Sequence, residues 1–139
     1  MNVDSITNGV VIDHITAGKS MCLYELLGLE ALDCPVAMIK NVTSRRMGKK
    51  DIIKIDAAID IDLNVIGYVD PSATVNIIRD GVLVEKKSIE MPEVLVDVIR
   101  CKNPRCITTT EQELKHVFRL TDRENKVYRC AYCETKAST

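Results

Sequence analysis

Four cysteines near the end of the chain constrain its fold more than any other feature. Cys101 and Cys106 are separated by Lys-Asn-Pro-Arg, Cys130 and Cys133 by Ala-Tyr, and 23 residues lie between the two pairs. Each short spacing lets the chain turn tightly and aim two sulfurs at one point, with Pro104 favouring the first turn. Four thiolates at one point make a tetrahedral soft-ligand site, which suits Zn2+. A lone CxxC is weak evidence for a metal, whereas two pairs at this separation are strong evidence. Four protein ligands leave no coordination position open, so the expected metal folds the segment and does not catalyse. In peptides such binding is worth on the order of 10–16 kcal/mol. A module this short hardly closes a core without it.

Other readings of the four cysteines are weaker. Disulfides need an oxidising compartment, and the first residues lack the basic and apolar regions of an export signal. A redox CxxC belongs at a helix start near a βαβ unit, whereas Cys130 follows the strand-like residues 126–129. A single iron held as in rubredoxins stays open, because spacing alone does not separate it from zinc. Cys22 and Cys34 are expected to be small buried hydrophobes.

The chain has 139 residues, and the metal segment takes about the last third. The roughly 90 that remain suffice for an independent core. Aromatic residues are only 4% and Trp is absent, so that core must be built from Val, Ile and Leu. A net charge of −1 gives no overall field to draw in nucleic acid or a membrane. The apolar runs are far too short to span a bilayer. A cytoplasmic protein is the expectation.

Along the chain, residues 1–8 are expected to be poorly ordered. Residues 10–15 read as a strand, with Asp13 and His14 breaking the apolar run near its end. Residues 21–27 read as a helix, stopped by Gly28. Residues 36–42 and 51–56 read as strands, joined by a basic connection, 44–50. Residues 61–68 read as a short helix ending at Gly67, before Pro71. Residues 74–78 and 82–88 read as a hairpin turning at Asp80 and Gly81. The order β-α-β-β-α-β plus one strand matches the split β-α-β, ferredoxin-like arrangement. The fold class is therefore α+β. A first domain spans 1–93 with a linker at 91–93, and a small β-rich, zinc-ribbon or rubredoxin-like domain spans 94–139.

The first domain has no Gly-rich phosphate loop and no Ser/His/Asp grouping. Its notable feature is charge embedded in strands: Asp13 and His14, Lys54 between Ile53 and Ile55, and Lys86 with Lys87. Alternation puts Lys54 on the face opposite its isoleucine neighbours. Composition alone favours a solvated outer face for it, and His14 reads as a structural histidine. The functional alternative is an anionic ligand lying on the sheet, with lysines meeting phosphates and an aspartate accepting from ribose. His116 is not needed once four cysteines are counted, and is expected at the surface.

Taken together, these pieces closely resemble the regulatory chain of aspartate carbamoyltransferase. The match is carried by residues 9–15 (Gly-Val-Val-Ile-Asp-His-Ile), 47–55 (Met-Gly-Lys-Lys-Asp-Ile-Ile-Lys-Ile), 73–76 (Ala-Thr-Val-Asn) and the cysteine frame through Glu134. The resemblance implies a non-catalytic subunit. Its N-terminal domain binds nucleotides and pairs with a second regulatory chain, and its zinc domain docks on the catalytic chain. CTP inhibits, ATP activates, and UTP acts together with CTP. By that resemblance Asp13 lies near ribose and base, Lys54 reaches both, and Lys86 binds phosphate, with Lys87 one residue away. Val11 and Ile78 form apolar wall and Asn76 a polar edge. His14 and Lys50 fall where a second nucleotide or a bridging metal is held. Val3, Asp4 and Ile6 offer backbone groups to the base, and Asn103 faces the catalytic chain. Two positions depart from the family pattern: Asp80-Gly81 replaces an aromatic residue, and Arg105 replaces a second asparagine.

A competing class is a nucleic-acid-binding zinc ribbon. Lys102, Arg105, Lys115, Arg119, Arg123, Lys126 and Arg129 make the last third mildly basic. Glu111, Glu113, Asp122 and Glu124 interleave with them and break any continuous phosphate track.

Overall fold

A computed structural model describes residues 6–137. The chain divides into two compact units, Met1–Glu90 and Met91–Thr139. Residues 92 and 93 belong with the second unit by their bonding. The Pro92 carbonyl accepts from the Tyr128 hydroxyl at 2.6 Å, and the Glu93 carbonyl accepts from the Leu120 amide at 2.8 Å.

The first unit holds strands β1 (Gly9–Thr16), β2 (Val36–Ser44), β3 (Gly48–Ile55), β4 (Thr74–Arg79) and β5 (Val82–Ser88), with helices α1 (Ser20–Leu26) and α2 (Leu63–Val69). The strands form one sheet in the order β2-β3-β1-β4-β5, with antiparallel neighbours throughout. This is the split β-α-β order with β5 added beside β4. Alternation explains the layering. Val10, Ile12, Ile53, Ile55 and Val75 lie on one face and are buried with Leu23, Leu29 and Ile66 from the helical layer. The intervening Val11, Lys54 and Asn76 therefore point to the outer face.

The basic connection is narrower than expected. Lys49 and Lys50 are part of β3, and only residues 45–47 separate it from β2. Helix α2 also differs at its end. Asp62 caps it by accepting from the Asn64 amide at 2.9 Å. Gly67 does not stop it but lies buried inside, and the helix continues to Val69 before Pro71. The two spare cysteines depart from expectation as well. Cys22 is exposed on α1, because Ser20 and Leu23 take the inward face, and Cys34 is only half-buried against the core.

Asp80 and Gly81 have φ of 52° and 74°, the left-handed pair of a type I′ hairpin turn. That turn is tied to the start of the chain. The Gly81 amide donates to the Thr7 carbonyl at 2.9 Å, and the Asp80 amide to Asn8 Oδ1 at 3.1 Å. So residues 7 and 8, expected to be poorly ordered, are anchored. Val3 and Asp4 lie outside the described residues. Gly9 follows, at a close approach of backbones. A Cβ there would run into the Ile55 carbonyl oxygen and come within 2.7 Å of Ile6 Cγ2. Because backbone must give way, Gly9→Ala is expected to cost at least about 2–3 kcal/mol, at the upper end of overpacking. Urea unfolding checks this, and an unchanged midpoint would mean that the two strands separate freely.

The second unit holds β6 (Val94–Val96), a short helix α3 (Ile107–Thr110), β7 (Val117–Asp122) and β8 (Val127–Cys130). The strands form an antiparallel sheet in the order β6-β7-β8. Its large buried side chains are few: Leu95, Phe118 and Tyr128.

Candidate metal centre and effector site

The second unit brings its four expected ligands to one point. Sγ atoms of Cys101, Cys106, Cys130 and Cys133 all lie within 4.8 Å of one another, and none is in a disulfide. Cys101 and Cys133 sulfurs are 3.4 Å apart, and those of Cys106 and Cys130 are 3.7 Å apart. A tetrahedral zinc with Zn–S bonds of about 2.3 Å needs sulfurs about 3.8 Å apart, so the donor set fits one structural Zn2+. Hydroxyls support the sulfurs: Thr108 Oγ1 lies 3.0 Å from Cys106 and Thr135 Oγ1 lies 3.1 Å from Cys133. The Thr135 hydroxyl lowers the Cys133 thiol, while burial raises that of Cys101.

His116 is not a bystander at the surface. It is half-buried, and its Nδ1 accepts the Cys101 amide at 3.3 Å, which fixes the first knuckle from behind. The sequence distance of fifteen residues concealed this. Asn103 also serves the knuckle. Its Oδ1 accepts from the Arg105 amide at 3.0 Å, and its Nδ2 donates to Thr135 Oγ1 at 3.3 Å.

In the first unit the strand register lines up residues that are far apart in sequence. Lys54 lies opposite Val11, Val11 opposite Asn76, and Asn76 opposite Lys86. The four form one row across β3, β1, β4 and β5 on the outer face. Lys87 lies opposite Val75, on the helix-side face, with its Nζ 4.0 Å from Glu85. Ile78 sits in the adjacent row with Leu83. Sequence reading missed Leu83, because a bulge in β5 after Leu83 decides which residue meets Ile78, and no local signal marks it. Asn76 Oδ1 is the one buried side-chain oxygen or nitrogen among the described residues with no hydrogen-bond partner. An unsatisfied acceptor in the middle of the row is costly unless something donates to it.

Asp13 and His14 do not end β1, which runs to Thr16. They occupy a bulge between Ile12 and Ile15, and His14 has a φ of 56°. Lys50 Nζ lies 2.9 Å from Asp13 Oδ1, which also accepts the His14 amide at 2.6 Å. Burial pushes the Asp13 carboxyl up, but Lys50 and the His14 amide outweigh it and hold it below the ordinary value. His14 Nδ1 lies 3.2 Å from Thr74 Oγ1. The outer face therefore offers cations at Lys54 and Lys86, a carboxylate at Asp13, and apolar surface at Val11, Ile78 and Leu83. Such a set can hold a small anion that has polar and flat apolar parts.

Two family models cover the chain. Residues 1–90 match the aspartate carbamoyltransferase regulatory chain, allosteric domain, and residues 93–139 match its metal binding domain. Among curated relatives, the aspartate carbamoyltransferase regulatory chain of Clostridium botulinum (strain Hall) is 46% identical over 134 residues, covering 96% of this chain and 92% of its own length. That of Clostridium tetani is 48% identical over 135 residues, covering 96% and 94%. That of Bifidobacterium longum is 47% identical over 137 residues, covering 99% of both.

Proposed function

The chain belongs to the family of aspartate carbamoyltransferase regulatory chains, with an allosteric unit followed by a metal-binding unit, and from that premise we propose how each unit works. The first unit binds a nucleotide such as CTP or ATP on the outer face of its sheet. UTP acts beside CTP near His14 and Lys50. Lys86 meets the phosphates, Lys54 and Asp13 meet ribose and base, and Val11 and Ile78 line the wall. Asn76 Oδ1 accepts from the ligand. The observation that carries this reading is the single cross-strand row of Lys54, Val11, Asn76 and Lys86.

The chain performs no chemistry of its own. A nucleotide that binds better in one quaternary state than in the other shifts the attached enzyme toward that state. A coupling on the order of 1–3 kcal/mol is typical. Zn2+ held by Cys101, Cys106, Cys130 and Cys133 fixes the surface that docks on the catalytic chain. Ile107 and Tyr132, exposed apolar residues beside the two knuckles, fit such a surface. A second regulatory chain pairs with the first unit. Thiolates that hold a metal persist in a reducing compartment, so the chain works in the cytoplasm. No helix among the described residues is long and apolar enough to cross a membrane. The nucleic-acid reading is not favoured, since both halves of the chain match the regulatory family.

The test is co-expression with an aspartate carbamoyltransferase catalytic chain. The two are expected to co-purify, and the carbamoyl-transfer rate at subsaturating aspartate is expected to change about fivefold or more with CTP or ATP. Co-purification with no nucleotide response would overturn the effector assignment but not the docking role.

A further inference from the structure

Two buried carboxylates have no part in the sites above. Asp51 accepts from the Gly18 amide at 3.1 Å, Ser20 Oγ at 2.7 Å and the Asn41 amide at 3.0 Å, which ties the β1–α1 turn to β2. Asp70 is placed differently. It closes α2, its amide donating to the Ile66 carbonyl, and it turns its carboxylate back onto β1. One oxygen accepts the Thr16 amide at 2.5 Å. The other accepts both the amide and the hydroxyl of Ser72, at 3.1 and 2.6 Å. Ser72 Oγ also lies 3.4 Å from the His14 carbonyl oxygen and 3.4 Å from Thr16 Oγ1. Among the described residues no cation forms an ion pair with Asp70. Burial pushes its carboxyl up, but the bonds from Ser72 and Thr16 prevail and keep it ionised.

The place that this pair grips is the bulge of β1. His14 sits there with positive φ, a conformation that a residue with a side chain keeps only when its surroundings hold it. Without the extra residue, alternation would turn His14, and not Ile15, toward the core beside Ile12. Asp13, the other residue of the bulge, is the one paired with Lys50. We infer that Asp70 and Ser72 are positioning residues for the effector site, clamping the bulge that aims Asp13 and His14 at the ligand. This rests on the effector reading above.

The test uses the full chain in complex with the catalytic chain, titrated with CTP and ATP by calorimetry beside thermal unfolding. Asp70→Ala would strand buried donors and threaten folding, so Ser72→Ala is the informative variant. It is expected to weaken the nucleotide that the unaltered complex binds by about three- to tenfold, the scale of one hydrogen bond. Ser72→Thr, which keeps the hydroxyl, is expected to restore binding. The effect is expected to shrink in a D13A background and to persist in full in a K86A background. Unaltered affinity in Ser72→Ala, whatever its unfolding temperature, overturns the clamp. So does an equal loss with and without Asp13. If the unaltered complex binds neither nucleotide, the effector reading fails first and takes the clamp with it.

Discussion

Removing the metal is expected to unfold the Met91–Thr139 unit and detach it from its partner, while the first unit goes on binding nucleotide. Magnitudes decide this. Among its described residues the second unit buries three large side chains fully, Leu95, Phe118 and Tyr128. At about 1.5–3 kcal/mol each, their burial falls short of the order of 10–16 kcal/mol that a four-thiolate zinc supplies. The first unit buries its own cluster, from Val10 to Ile89, and draws no ligand from the cysteines. Treating the assembled complex with a mercurial, with released zinc counted by a chromogenic chelator, should give free catalytic chains on a sizing column. CTP or ATP should still titrate the separated regulatory chains. Cys106→Ser should behave the same way on expression, because it leaves three ligands and breaks the first knuckle. An intact complex after stoichiometric zinc release would show that protein packing alone holds the docking surface, and would remove the metal from the mechanism.

The metal centre was legible because its signal is short-range. Two tight spacings and a suitable gap suffice, and the chain between the pairs has only to bring them together. What the sequence hid there was long-range: His116 reaches the Cys101 amide across fifteen residues, and nothing local marks it. The first unit shows the same division. Alternation told which face Lys54 occupies, and the Asp80-Gly81 pair told where the hairpin turns. Which residues stand opposite one another was not legible, because three irregularities reset the register: between Ile12 and Ile15, between Ile39 and Val42, and between Ile77 and Ile78. A bulge shifts every pairing beyond it by one residue. For that reason Lys86 and Lys87 were inseparable from sequence, and so were Leu83 and its neighbours. Gly67 misled for another reason. Its helix penalty is small beside the gain from burying a helix face, so it can lie mid-helix, buried with Val65 and Ile66.

The register turns the choice between adjacent lysines into the sharpest mutational prediction. Lys86→Ala is expected to weaken nucleotide binding by about 10- to 100-fold, the loss of a charge-assisted hydrogen bond worth about 1.5–3 kcal/mol. Lys87→Ala is expected to change it by less than about threefold, since a screened surface charge contributes little. The reasoning is geometric. Lys86 shares its row with Asn76, Val11 and Lys54, whereas Lys87 lies over Val75 on the opposite face, and its nearest carboxylate is Glu85. Lys54→Ala should lose affinity comparably to Lys86→Ala. Its loss should depend less on salt, because Lys54 is half-buried and Lys86 is exposed. Calorimetric titration of the complex at two ionic strengths separates these cases. If Lys87→Ala carried the loss and Lys86→Ala did not, the nucleotide would have to lie on the helix side of β5. The row across the outer face would then be an accident of pleating, with Asn76 Oδ1 left without a donor.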